Sequence, residues 1–275
     1  MMDRFAYIPA STGTPLNMDG GASFVGTAKG VRSRSWSYEL GYRDLVSANR
    51  PAREVEITLH TDFDAANDLR RAADADVAAR TPGTFVAEGE WKQRGYIVES
   101  MPDYIAWGKL GTKLKALLVD GAWWRLQTRE FAIPDAEGEY TFLDYAYDYP
   151  YDYTPNLANT SVETSVLTPC DVHLVIYGAA VNPYVIIGGN TYQVNVTVPA
   201  GGYLTVDGRE KTIELTLADG TVQNAFAYGV RGSGQGGGSY IFEPIQAGEQ
   251  DVQWLGTFGF DLGWYEEEGE PPWIL

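Results

Sequence analysis

The segment Asp144-Tyr-Ala-Tyr-Asp-Tyr-Pro-Tyr-Asp-Tyr153 constrains the fold of this chain more than any other. It sets five tyrosines on a run that Pro150 keeps extended. Proline fixes its own φ, lacks a backbone donor and pushes the residue before it, here Tyr149, toward extended conformations. Five rings on an extended segment cannot be covered by one helix or one hairpin face. They need structure on both sides. The run therefore reads as an ordered strap, carried by Tyr147, Tyr149, Pro150, Tyr151 and Tyr153. It divides the chain into residues 1–145, a linker over 146–155 and residues 156–275, and it is expected to fix the angle between the two domains.

Charge changes across the strap. The first 150 residues hold 17 of the 20 bases and 22 of the 37 acids, so only Arg209, Lys211 and Arg231 face the 15 acids beyond. The total of −17 disfavours binding to DNA or anionic lipid. A length of 275 residues with 44% hydrophobic content supplies two ordinary cores. Cys170 is alone, so no internal disulfide can form. Met1-Met-Asp-Arg-Phe5 lacks the apolar stretch of a signal peptide, and no run of about 18 apolar residues is present. The expectation is a soluble protein made in a cytoplasm, with no membrane insertion.

Hydrophobic periodicity predicts a mainly β chain with one helix in the N-terminal half. Residues 31–46 place Trp36, Tyr38, Leu40 and Tyr42 at period two, as in a half-buried strand. Glu54 to His60 alternates most cleanly, with Val55, Ile57 and Leu59 on one face. Thr61 or Asp62 then caps a helix over about 64–79, with Ala65, Leu69, Ala72 and Ala73 inward and Val77 continuing the stripe. Beyond the strap, short alternating runs are joined by Gly188-Gly189-Asn190, Asp207-Gly208 and Asp219-Gly220, which are hairpin signals. Such spacing suggests an antiparallel β-sandwich, with Gly232 to Ser239 as a flexible loop.

Residues with catalytic potential are few. His60 and His173 both sit in strand patterns, and Cys170 and His173, three apart, fall on opposite faces. One Cys and two His cannot form a usual structural zinc site. Asp62-x-Asp64 and the acidic run Glu266–Glu270 read as a helix start and a solvated cluster, and EF-hand spacing is absent. Gly21-x-x-x-x-Gly26 is followed by Thr27, which is not a phosphate loop. No catalytic residue, metal site or cofactor is expected. Trp254 and Trp264, with Trp123-Trp124 and Trp273, are the candidates for a sugar-stacking platform, although such aromatics more often fill cores and interfaces.

Several pieces in order carry a resemblance. They are the unit Glu54 to Gly83, Trp91-Lys-Gln-Arg-Gly-Tyr-Ile-Val98, and the strap Asp148 to Tyr153. Gly188-Gly-Asn-Thr-Tyr192, Leu204-Thr-Val-Asp-Gly208, Lys211-Thr-Ile213 and Asp219-Gly220 come next. Phe242 to Gly248, Trp254, Phe258-Gly-Phe260 and Glu266 to Trp273 close the series. Together these resemble the distal tail protein (Dit) family of siphophages, a component of the tail tip or baseplate hub. The resemblance implies a non-enzymatic, two-domain structural protein of a phage or prophage virion, made in the host bacterial cytoplasm. Its N-terminal domain would be β-barrel-like and would build a hexameric ring between the tail tube protein and the hub or fibre protein below. DNA would pass through the lumen without specific binding. A galectin-like sandwich would hang outside and hold receptor-binding proteins. Arg32, Arg34, Arg43, Arg50 and Arg53 are the candidate ring-interface residues, in a charge-mixed half suited to pairing between subunits. Two other classes fit parts of the sequence: a lectin-like carbohydrate-binding module of a virion, and a virion glycosidase motivated only by abundant carboxylates.

Overall fold

The computed structural model describes residues 5–25, 29–133, 158–164 and 168–272. The tyrosine strap and the 146–155 linker lie outside the described residues. The chain divides into two compact units, Met1–Arg125 with Glu267–Leu275, and Leu126–Glu266. Both are built mainly from antiparallel strands.

In the first unit the strand Arg53–Asp62 buries every second residue, placing Val55, Ile57, Leu59 and Thr61 inward. This is the period-two pleat expected from the sequence. It pairs along its length with Lys109–Leu118, from Arg53 opposite Leu118 to Asp62 opposite Lys109. The sheet continues through Trp91–Ala106, Gly83–Ala87, Phe5–Ile8 and Leu16–Asn17. Helix Phe63–Ala79 starts where the first of these strands ends. There the Asp62 carboxylate accepts from the Ala65 backbone N–H at 2.8 Å, satisfying one of the donors a helix start leaves open.

Leu69 and Ala73 of the helix join Ile57, Leu59, Phe85, Leu114 and Trp123 in one core. Each fully buried large apolar side chain contributes about 1.5–3 kcal/mol. Residues 69, 72, 73 and 76 follow the spacing of a single helical face, so Asp76 is carried inward while Val77 stays exposed. The buried carboxylate is tolerated because it accepts from Tyr7 Oη at 2.7 Å, Ser11 N at 2.9 Å and Ala10 N at 3.2 Å.

The barrel-like closure expected for this half does not form among the described residues. The sheet is open, with Arg53–Asp62 at one end and Leu16–Asn17 at the other. The short helix Lys29–Arg32 covers the first edge so closely that a Cβ on Gly30 would lie 2.6 Å from Glu56 O. Phe24 also forms a bridge with His60. An edge covered by its own chain does not need a closing strand.

The second unit is a sandwich. One sheet runs Val222–Asn224, Thr212–Thr216, Tyr203–Asp207, Val172–Tyr177 and Phe260–Glu268. The other runs Ala158–Thr164, Gly248–Trp254, Tyr184–Ile187 and Asn190–Gln193. Leu174, Ile176, Leu204 and Leu262 from the first face meet Val162, Val185, Tyr192 and Val252 from the second. Gly188 and Gly189, at φ 53 and 83, close the hairpin between Ile187 and Asn190, as its mirror-image two-residue turn requires.

Candidate assembly surface

The period-two pattern around Trp36 and Tyr42 forms a hairpin whose two strands, Ser37–Leu40 and Leu45–Asn49, are exposed at every residue. The expected half-buried strand is therefore not packed on this chain's own core. Tyr38, Leu40, Leu45 and Val46 all lie exposed, and Tyr42 is 91% exposed. A lone two-stranded hairpin is marginal in water, and its apolar side chains here stay largely exposed. A second protrusion is the distal part of the Trp91–Ala106 and Lys109–Leu118 pair. Met101, Tyr104 and Ile105 are exposed there, and Trp107 at the tip is 100% exposed. Trp107 and Gly108 take φ 54 and 71 in a two-residue turn.

The five candidate arginines are divided by the structure. Arg32 is buried, pairs with Glu88 at 2.6 Å and donates to Pro272 O at 2.9 Å. Arg53 donates to Ser33 Oγ at 2.8 Å, to Val31 O at 3.1 Å and to Ser33 O, and burial lowers its pKa from the usual range. Arg50 lies over the Trp36 ring at 4.9 Å and within 3.6 Å of Glu267. Arg43 lies over the Tyr42 ring at 5.1 Å in the exposed hairpin turn, and Arg34 is exposed beside Gly269. Arg32 and Arg53 thus lock the edge segment in place, while Arg34 and Arg43 face outward.

Sugar stacking requires an open aromatic face, and neither Trp254 nor Trp264 has one. Trp254 is 5% exposed, donates to Phe258 O at 3.2 Å, and meets Phe131 and Phe260 edge-on at 5.7 and 5.3 Å. Trp264 is buried, with Nε1 directed to Glu266 Oε1 at 3.4 Å. Both have become core because they alternate inward on their strands.

His173 lies opposite Asp207 in its sheet and edge-on to Tyr265, whose hydroxyl donates to Asp207 at 2.7 Å. Burial lowers the His173 pKa below 6.5, against an opposing pull from Asp207 and Asp261. The unfolded chain therefore binds the proton more readily. The stability of this unit is full above the unfolded pKa, declines as pH falls through 6.5 and levels off below the folded value. A urea midpoint that drops between about pH 7.5 and 5.5 in the native protein, and drops less in His173→Gln, is the expected result. Cys170 is buried, with its thiol directed to Ile245 O at 3.8 Å. Among the described residues no group of three or more His, Cys, Asp or Glu side chains is placed to hold a metal ion, and no helix is long and apolar enough to cross a membrane.

No family model matches the chain, and no curated protein matches it in sequence. Solved structures do match. The SPP1 Dit (gp 19.1) protein, described as a paradigm of the hub adsorption apparatus in phages infecting Gram-positive bacteria, superposes with a TM-score of 0.54 at 13% identity. That match covers 96% of this chain and 98% of the other. A chain of the phage P2 baseplate, in its activated conformation with Ca, gives 0.62 at 8% identity over 97% and 98% of the two chains. The same baseplate with Sr gives 0.61 at 10% identity over 97% and 99%. The chain has the fold of a phage tail hub protein. The hub fold here includes both units, since the matches run nearly end to end. No signal in the sequence alone separates the exposed hairpin from an ordinary half-buried strand.

Proposed function

We propose that this chain is a non-enzymatic structural protein of a phage tail tip. Six copies close a ring that joins the tail tube to the hub or fibre protein below and carries receptor-binding proteins outside. The observation that carries the reading is the nearly full-length likeness to hub and baseplate chains, over 96% and 97% of this chain. The first unit forms the ring, because the hairpin Ser37–Asn49 and the Trp107 tip leave large apolar side chains exposed among the described residues. A closed ring requires a head-to-tail contact in which each copy presents two different surfaces, and a protruding hairpin laid on the next copy supplies one of them. A net charge of −17 keeps DNA in the lumen from adhering. The virion is the site of action, and the lone Cys170 suits synthesis in a bacterial cytoplasm.

Light scattering tests the assembly. The expected mass is six times that of one chain, either for the protein alone at high concentration or when mixed with its tail tube and hub neighbours. A protein that stays monomeric at every dilution, even with those neighbours present, contradicts the ring.

A further inference from the structure

We infer that the second unit holds a binding site for a neutral, polyhydroxylated ligand the size of a single sugar ring. The site is a cavity of about 220 Å³ between the Gly188-Gly189 turn and the glycine-rich loop near Gly236 and Gly238. It is separate from Trp254 and Trp264, and it does not depend on the ring.

The lining defines the ligand by exclusion. Its polar side chains include Glu243, Gln246 and Gln250, and no Lys, Arg or His contributes. A bare anion would meet a carboxylate with no compensating cation. Glu243 is the single carboxylate in the lining, too few for a metal ion. A purely apolar ligand would strip water from the carboxylate and both amides without replacing their hydrogen bonds. Hydroxyl groups both donate and accept, which suits one carboxylate beside two primary amides. Glu243 lines the cavity, and its Oε2 accepts from Gly236 N at 2.8 Å, which holds the carboxylate in place.

The walls are pre-set. Asn190 and Tyr240 exchange two hydrogen bonds, Nδ2 to O at 3.0 Å and N to Oδ1 at 3.1 Å. Tyr192 Oη donates to Glu243 O at 2.7 Å, and Thr191 N donates to Gly238 O at 2.9 Å. Gly189, Gly236 and Gly238 all have positive φ, and a Cβ on any of them would meet nothing within 4 Å. The chain there leaves open space in which a ligand can reach the backbone, and little ordering is needed on binding. Without an open aromatic face the expected affinity is weak, on the order of millimolar.

The test is amide NMR of the full-length protein titrated with glucose, galactose, rhamnose and N-acetylglucosamine, and separately with n-butylamine. At least one sugar is expected to shift the Gly236, Gly238 and Gln246 amides saturably, and Glu243→Gln should weaken that binding about tenfold, a change of about 1.4 kcal/mol. Gln246→Ala, at an exposed position that leaves the fold intact, should also weaken binding. Three results would each overturn the site: no sugar shifting these amides, n-butylamine shifting them while sugars do not, or sugar binding unchanged by Glu243→Gln and Gln246→Ala.

Discussion

Replacing Tyr38, Leu40 and Val46 together with serine is expected to abolish assembly while leaving both units folded. The three side chains are exposed in the single chain, so losing them costs the fold about 0.5 kcal/mol or less each. In a ring they would be covered, and each large apolar side chain buried contributes about 1.5–3 kcal/mol. The triple variant therefore removes roughly 5–9 kcal/mol per interface before ordering costs are counted. That is enough to turn a stable ring into free chains. The check is paired: the assembled mass is measured beside the urea midpoint of the isolated protein. If assembly survives, the hairpin is not the contact; if the midpoint collapses, the hairpin belongs to a core of its own chain.

Trp254→Ala should have the largest effect on stability in the second unit, about 3–5 kcal/mol. The indole fills the space beside the stacked pair Phe131 and Phe260, whose centroids are 4.7 Å apart, and its removal also leaves Phe258 O without its donor. Trp107→Ala is the matched control, because that ring is fully exposed and its loss should leave stability nearly unchanged. Thermal or urea unfolding separates the two variants. A Trp254→Ala protein of native stability would mean that this indole is not a core residue.

These two tryptophans show where sequence reasoning stops. Alternation alone puts a residue on one face of a strand and does not say which face is covered. Arg53–Asp62 is legible because Val55, Ile57 and Leu59 alternate with the charged Glu54 and Glu56, and because Asp62 marks the helix start. The hairpin around Tyr38 carries the same period, yet among the described residues nothing covers its strands. An exposed strand and a half-buried one can carry the same alternation. Asp76 escaped because the apolar stripe of its helix pointed to Val77, while its partners Tyr7, Ala10 and Ser11 lie more than sixty residues away. The cavity beside Glu243 was also hidden. Its walls come from between Ile187 and Gln250, and only the fold brings them together.

Electron microscopy of the assembled tail tip would show the ring itself. Six copies of this chain are expected around the tail axis, between tube and hub, with residues 36–49 of each copy laid on its neighbour. A different symmetry, or a hairpin left in solvent within the assembled particle, would contradict this arrangement.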